Sequence, residues 1–190
     1  MSVLESLIAI FLDFLETIIV SLAIFVVLYV YAIQPHQVRG LSMYPTFDTG
    51  EYLLTNKLKY RFSDPKAGDI IVFKAPGSTN QDYIKRIVGV PGDTIKVKAG
   101  DLYINGMELD ETEYLDETIL TLAENYLKEG MEITVPDDSY FVAGDNRPHS
   151  SDSRDFGTIP KDDIIGKAWL RYWPPQAMGT VAGASYGAEK

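Results

Sequence analysis

The N-terminal part of the chain contains one long apolar run. Residues 17–33 read TIIVSLAIFVVLYVYAI and carry no charge, and only Glu16 is charged when the run is extended back to Phe14. The extended run has about twenty residues, the length of a helix that crosses the hydrocarbon core of a bilayer. This pattern predicts a transmembrane anchor over about residues 14–34, within an N-terminal segment of residues 1–35.

Two other interpretations of this run remain. A helix buried in a soluble protein has the same composition, and a cleavable signal peptide also begins with an apolar segment. A signal peptide has a basic N-terminal flank and a shorter apolar core, whereas this flank contains Glu5 and Asp13 and no Lys or Arg. We therefore favour a permanent anchor. Its orientation stays open, because Arg39 is the only Lys or Arg in the roughly 15–20 residues that follow the run.

Residues 36–175 are predicted to form a mostly β domain. Short runs of β-branched and aromatic residues alternate with Gly, Pro, Asn and Asp, as is typical of strands separated by turns. The runs lie at 70–73, 94–97, 101–104, 132–135, 139–145 and 167–173. Asn105-Gly106 predicts a tight hairpin, because both central residues of that turn type take positive φ.

Two segments depart from the β pattern. Residues 108–130 contain eight acidic residues and one lysine, with leucines at helical spacing in the second half. We predict an acidic, partly helical insertion that presents a solvated face. Residues 176–190 are mostly small or polar and predict a flexible tail.

The composition excludes several functional classes. The formal net charge is -10, from 17 basic and 27 acidic residues, so we expect no nucleic-acid partner, which would require a basic face. The absence of cysteine excludes disulfides, thiolate nucleophiles and thiolate metal sites. Only two histidines are present, His36 and His149, so a His-rich metal centre is also disfavoured. We expect no metal.

Two separate positions have the chemistry of a nucleophile and a base. Ser42 lies in a loop between Gly40 and Pro45, and such a turn can expose a side-chain Oγ beside a backbone N–H that binds an oxyanion. Lys85 lies in an apolar strand and shares a face with Tyr83. Burial there disfavours the charged amine and lowers its pKa toward that of a usable base. The ordinary alternatives are a turn serine and an edge-strand lysine whose amine reaches water.

Residues 144–157, GDNRPHSSDSRDFG, form the third polar segment. Its side chains can build a hydrogen-bonded scaffold behind a site. The segment lacks the oxygen-ligand spacing and the closing Glu of a calcium loop. A Ser-His-Asp triad of Ser150, His149 and Asp152 is disfavoured, because adjacent residues point apart and the lysine motif is better formed.

Five blocks together resemble bacterial type I signal peptidases, the membrane-bound serine/lysine enzymes that remove signal peptides from exported proteins. The blocks are SMYPT at 42–46, GDIIVF at 68–73, DYIKRIVGVPGD at 82–93, LYING at 102–106 and GDNRPHSSDSRDFG at 144–157. They follow the anchor in the family's order, over about residues 14–173. The resemblance implies a signal-peptidase-like antiparallel β-sheet catalytic domain after one transmembrane helix.

The resemblance also implies how the site works. Ser42 corresponds to the nucleophile and Lys85 to the general base of an acyl-enzyme mechanism that needs no cofactor. Five further residues correspond to a supporting group: Ser150, which would orient the lysine, the pair Asp152 and Arg154, and the pair Asp145 and Arg86. Three correspond to the walls of shallow pockets for small P1 and P3 side chains: Met43, Tyr83 and Ile84.

The expected partners are signal peptides of secretory preproteins and a lipid bilayer, with the catalytic domain on the extracytoplasmic side of the cell membrane. The residues give no indication of the oligomeric state. Some family members have a serine two residues before the nucleophile as a further oxyanion donor, whereas this chain has Gly40. We expect Gly40→Ser to be folded and at least as active as the parent, unless this glycine takes positive φ.

Two alternatives are left open. One is a related serine/lysine maturation peptidase of a conjugal-transfer or other specialised system, which shares the same two reactive residues. The other is a non-enzymatic, membrane-anchored β scaffold that binds secretory segments. The presence of Ser42, Lys85 and Ser150 together argues against the scaffold.

Overall fold

A computed structural model describes residues 3–77, 81–116 and 118–186. Its first element is helix α1, Val3–Tyr31, which has 29 residues and no buried side chain. At 1.5 Å per residue the helix is about 43 Å long, more than the roughly 30 Å of a bilayer core. Because the β domain buries none of this apolar helix, the interpretation as a core helix of a soluble protein is wrong. The helix is consistent with membrane anchoring.

The helix limits differ from the predicted 14–34. Residues before Phe14 continue the helix, since the acidic residues there are separated by apolar ones and leave its apolar surface continuous. At the other end the helix stops at Tyr31, and strand β1 begins at Ile33. Pro35 lies within this strand, so the end of the predicted anchor belongs to the β domain.

Twelve strands follow in the described residues, and all their pairings are antiparallel. The larger sheet has the order β1 (Ile33–Gln37), β2 (Tyr52–Asn56), β11 (Ile164–Trp173), β3 (Ile70–Lys74), β4 (Asp82–Gly89), β9 (Ser139–Ala143) and β10 (Ile159–Pro160), and β12 (Gly179–Thr180) pairs with β11. The smaller sheet has the order β7 (Met107–Glu108), β6 (Asp101–Ile104), β5 (Thr94–Lys98) and β8 (Glu132–Thr134). The described residues also form two short α-helices, α2 (Lys59–Phe62) and α3 (Ser153–Phe156), and three 3-10 helices, Arg147–His149, Lys161–Asp163 and Pro175–Ala177.

The mostly β prediction is therefore confirmed. The hairpin between β6 and β7 turns at Asn105 and Gly106, whose φ angles are 53° and 77°, as the Asn-Gly pair predicts. Strand β4 lies inside the larger sheet, with Lys85 opposite Ile71 of β3 and Arg86 opposite Ala143 of β9. This position fixes the backbone on which the candidate base stands.

A shared core joins the two sheets. One cluster of buried apolar side chains combines strands of both sheets: Val88, Ile95, Val97, Leu102, Leu127, Val135, Phe141 and Ala143. Phe141 on β9 is fully buried in it. Burying apolar surface stabilises the folded state by about 25 cal/mol per Å². This cluster therefore couples the smaller sheet to β9, the strand that precedes the polar segment 144–157.

The acidic segment 108–130 has no helix among its described residues, so the partly helical prediction does not hold. Its backbone bonds elsewhere: Thr121 N–H donates to the Gly100 carbonyl, and Leu127 N–H donates to the Arg154 carbonyl. Leu127 is fully buried in the shared core. Tertiary hydrogen bonds and burial have replaced the bonds that a helix would have made.

The flexible-tail prediction also does not hold for the described residues of 176–190. Strand β12 pairs with β11, Val181 N–H donates to the Trp169 carbonyl, and Ala184 N–H donates to the Gly68 carbonyl. The small residues of this C-terminal segment allow its backbone to approach the backbone of the domain closely. The last four residues of the predicted tail lie outside the described residues.

We expect Phe141→Ala to lower the free energy of unfolding by about 3–5 kcal/mol, because it leaves a cavity between the sheets. Urea unfolding of the detergent-solubilised protein, followed by the fluorescence of Trp169 and Trp173, measures this. The matched control is Phe62→Ala, because Phe62 is 85% exposed and should change stability by no more than about 0.5 kcal/mol. Equal losses in the two variants would contradict the shared core.

Candidate active site

The structure brings Ser42 and Lys85 together. Ser42 lies in the loop between β1 and β2, and a hydrogen bond of 2.7 Å joins its Oγ to Lys85 Nζ. Lys85 is only 4% exposed. Burial lowers the pKa of Lys85 to about 8, although the carboxylates of Asp152 and Asp145 oppose this shift. A substantial fraction of the amine is therefore neutral near pH 8 and able to accept a proton from the hydroxyl.

The Ser42 loop is held by the polar segment that follows β9. The Ser42 carbonyl accepts a hydrogen bond from the Asn146 N–H at 3.0 Å, and the Asn146 side chain donates to the Leu41 carbonyl. Gly144 makes this approach possible, because a Cβ there would lie 2.4 Å from the Ser42 carbonyl oxygen and 2.2 Å from Ser150 Oγ. A larger residue at position 144 would push the two loops apart.

Arg86 and Asp145 form a buried bidentate ion pair. Arg86 Nε and Nη2 donate to the two Asp145 oxygens at 2.9 and 2.7 Å. The same carboxylate accepts a hydrogen bond of 2.5 Å from Thr46 Oγ1 in the Ser42 loop. Arg86 also donates to the Gly68 carbonyl at 3.2 Å. Asp145 thus connects the strand of the lysine to the loop of the serine.

Asp152 and Arg154 form a second buried pair, with distances of 2.8 and 2.9 Å. Asp152 also accepts a hydrogen bond from the Gly144 N–H. Burial opposes ionisation of this carboxyl, but the Arg154 guanidinium and these hydrogen bonds lower its pKa. His149 is exposed, and Asp152 is engaged by Arg154, so the arrangement does not form a Ser-His-Asp triad.

Ser150 differs from its expected role. Its Oγ is buried and makes no hydrogen bond to Lys85, and the hydroxyl is among the groups that lower the pKa of the Asp152 carboxyl. The hydroxyl instead lies against Gly144. The crowding of two loops at this point, rather than local sequence, sets where the hydroxyl is directed.

Sequence reasoning missed the contribution of the acidic segment. Arg147 is fully buried and donates to Glu111 Oε2 at 2.9 Å, to Thr121 Oγ1 at 2.7 Å and to the Gly144 carbonyl at 2.9 Å. The predicted solvated face is therefore wrong at these positions. Glu111 is one of eight acidic residues in its segment and carries no local mark that distinguishes it.

A cleft of about 630 Å³ opens beside Ser42 and Lys85. Its walls include Tyr83 and Ile84, as expected, and the apolar side chains of Val38, Leu53 and Val72. Met43, expected in the pocket wall, is only 1% exposed and packs in the core beneath the cleft. Adjacent residues in this tight turn point in different directions, so Met43 faces inward while Ser42 faces the cleft.

His36 and Asp82 also line the cleft, and His36 Nε2 lies 3.3 Å from Asp82 Oδ2. His36 belongs to β1 and Asp82 to β4, so the pair joins two walls. Burial lowers the pKa of His36 despite the nearby carboxylate. In the described part of the chain, no group of three His, Cys, Asp or Glu side chains has the arrangement of a metal site.

The chain is similar in sequence to known signal peptidases. The family model for "Signal peptidase, peptidase S26" matches residues 11–173. Signal peptidase IB of Staphylococcus aureus is 35% identical over 176 residues, which cover 85% of this chain and 91% of the relative. Probable signal peptidase I-2 of Synechocystis is 32% identical over 171 residues, which cover 87% and 75%. A crystal structure of a signal peptidase I from Enterococcus faecalis matches with 32% identity and a TM-score of 0.45, over 55% of this chain and 97% of that one.

Gly40 has a φ of 94°, which reverses the expectation for Gly40→Ser. An added Cβ meets no atom within 4 Å, so the cost arises from backbone strain, about 1–2 kcal/mol for an L residue at positive φ. We expect Gly40→Ser to lower the unfolding free energy by about that amount, as measured by urea unfolding. Gly40→Asn is the matched variant and should lose less, because asparagine tolerates positive φ better. Equal stability of the serine variant and the parent would contradict a backbone role for Gly40.

Proposed function

The chain belongs to the signal peptidase family, peptidase S26, and we propose that it cleaves signal peptides from preproteins with Ser42 as nucleophile and Lys85 as base. Its class, a serine endopeptidase of the signal peptidase I type, follows from the family. The observation that carries the mechanism is the 2.7 Å hydrogen bond between Ser42 Oγ and a buried lysine amine whose pKa is lowered to about 8.

The reaction proceeds by acyl transfer. Neutral Lys85 takes the proton of Ser42 as Oγ bonds to the scissile carbonyl carbon, and the Ser42 N–H helps to hold the oxyanion. Protonated Lys85 then gives its proton to the leaving amine as the C–N bond breaks. In the second half of the reaction, Lys85 takes a proton from water as the water oxygen bonds to the carbonyl carbon of the ester. Lys85 then gives this proton to Ser42 Oγ as the bond between Oγ and that carbon breaks.

The strand edges around the cleft support an extended substrate. In the described structure β9 pairs with β4 only from Arg86 onward, so residues 82–85 keep one edge that is not paired in the sheet. β1 ends the larger sheet on the other wall. A substrate strand between them would hydrogen-bond through its backbone, with alternate side chains directed into the cleft. The small apolar space beside Val72 and Ile84 suits small P1 and P3 side chains.

The membrane placement completes the proposal. Only Ala32 separates the end of α1 from β1, so the cleft begins close to the end of the helix. We propose that α1, Val3–Tyr31, is a single-pass anchor, with the peptidase domain that begins at β1 on the extracytoplasmic side. A signal peptide inserted in the same bilayer would then reach the cleft without leaving the membrane surface.

We expect Ser42→Ala and Lys85→Ala each to abolish cleavage of a preprotein by the detergent-solubilised enzyme while the fold is retained. Removing the nucleophile or the base leaves no substitute, because the chain has no cysteine and removing one such group alone removes most of the catalytic rate. The controls are Ser63→Ala, at a half-buried position outside the cleft, and Lys98→Ala, on exposed surface outside the cleft. Residual activity near the parent level in either site variant would refute the assignment.

The second expectation concerns pH. Because the neutral amine is the active form, kcat/KM should rise as pH increases and reach its half-maximum near pH 8. A peptide substrate without titratable side chains and with blocked termini isolates this ionisation. A midpoint at or above about 10.4, the ordinary lysine value, would show that burial does not tune Lys85.

A further inference from the structure

The chain continues after β11 as a strap across the domain. We define the C-terminal strap as residues Gly179–Tyr186, which begin with β12 and end beside the acidic segment. The strap lies beyond residues 11–173, the part matched by the family model. Lys85 and Arg86 are adjacent on β4 and point to opposite faces. Lys85 faces the cleft, whereas Arg86 lies on the side that the strap covers.

Arg171 anchors the chain where it enters the strap. Its Nε donates to the Ala177 carbonyl at 2.6 Å, and its Nη1 donates to the Thr46 carbonyl at 3.1 Å and to Glu51 at 2.9 Å. Thr46 belongs to the Ser42 loop and also donates to Asp145. One side chain therefore joins the residues just before the strap to the loop of Ser42.

Tyr186 anchors the other end. Its hydroxyl lies 2.9 Å from the hydroxyl of Tyr114, and the two rings pack edge to face. The Tyr114 ring in turn lies against the Arg86 guanidinium, 3.9 Å from ring centroid to Cζ. Tyr114 also donates to Glu111, the partner of Arg147. Tyr114 thus contacts Arg86 directly and is linked to Arg147 through Glu111.

The middle of the strap is fitted closely to the domain. Ala184 N–H donates to the Gly68 carbonyl at 3.1 Å, and a Cβ on Gly68 would lie 1.9 Å from the Ala184 carbonyl oxygen. The same Gly68 carbonyl accepts from Arg86. A cavity of about 220 Å³ remains under the strap, lined by Arg86, Arg171, Thr46 and strap residues 179–184.

We propose that the C-terminal strap positions the catalytic pair, with Tyr186 as its principal positioning residue. The strap lies over Arg86, which is only 2% exposed, and the charge interaction between Arg86 and Asp145 is stronger in this less polar surrounding than in water. Asp145 then holds Thr46 and the Ser42 loop at the correct distance from Lys85. This inference rests on the proposed Ser42/Lys85 mechanism, and it adds a requirement that lies outside the matched family region.

The test compares the parent protein in detergent with two truncated forms and two point variants. The truncations end after Met178 and after Tyr186, and the point variants are Tyr186→Ala and Tyr186→Phe. We measure kcat and KM on one preprotein, and the folded fraction by tryptophan fluorescence. The truncation after Met178 and Tyr186→Ala should lower kcat about tenfold or more, since displacements of about 1 Å cost up to about 10²-fold in rate. KM should change less than about twofold, because the cleft lies on the other face of β4.

The remaining two variants are the controls. Truncation after Tyr186 keeps the whole strap and should retain the parent kcat. Tyr186→Phe keeps the ring against Tyr114 and should restore most of the activity lost in Tyr186→Ala. If Tyr186 had only a structural role, Tyr186→Ala would lower the folded fraction, but kcat per folded molecule would stay at the parent value.

The outcomes separate the two proposals. Parent-level kcat per folded molecule in Tyr186→Ala would overturn the strap proposal and leave the Ser42/Lys85 mechanism intact. If the truncation after Met178 does not fold, Tyr186→Ala alone decides. Cleavage by Ser42→Ala at the parent rate would instead overturn the mechanism, whatever the strap variants show.

Discussion

The ion pair between Arg86 and Asp145 is the interaction on which the reactive geometry depends. Arg86 follows Lys85 on β4, and Asp145 is hydrogen-bonded to Thr46 in the loop of Ser42. Both charged groups are at most 3% exposed. Removing one partner of such a pair costs about 3–5 kcal/mol, because the other charge stays buried and uncompensated. A contact on the reverse side of the strand therefore helps to set the distance between Ser42 and Lys85.

Two further buried arginines extend this arrangement. Arg154 pairs with Asp152, and Arg147 pairs with Glu111 from the acidic segment. Their remaining donors bond to backbone carbonyls, among them Gly144 and Arg147. Buried hydrogen-bonded networks of this kind favour one geometry, because a shift leaves further buried polar groups unpaired. A lysine with a lowered pKa can then stay buried beside the serine while neighbouring charges compensate one another.

Local sequence patterns were sufficient for the features that depend on local physics. The apolar run predicts a long helix by its length and composition, and the β-branched runs and the Asn105-Gly106 turn are decided by backbone geometry. The blocks around Ser42 and Lys85 could be recognised because their residue types are needed at those positions. The resemblance also paired Arg86 with Asp145 and Arg154 with Asp152, and the structure places these partners in contact.

Other features were decided by the tertiary structure, because they depend on contacts between distant segments. The direction of Met43 follows from the core that packs beneath its loop, and the positive φ of Gly40 follows from the path that connects β1 to that loop. Leu127 has helical spacing, but burial between the sheets outweighs its weak local preference. The strap has a composition typical of flexible tails, and only its fit against Gly68 and Tyr114 orders it. The sequence by itself determined the apolar helix, the strands and the candidate site residues, whereas the packing of distant segments determined how those residues are held.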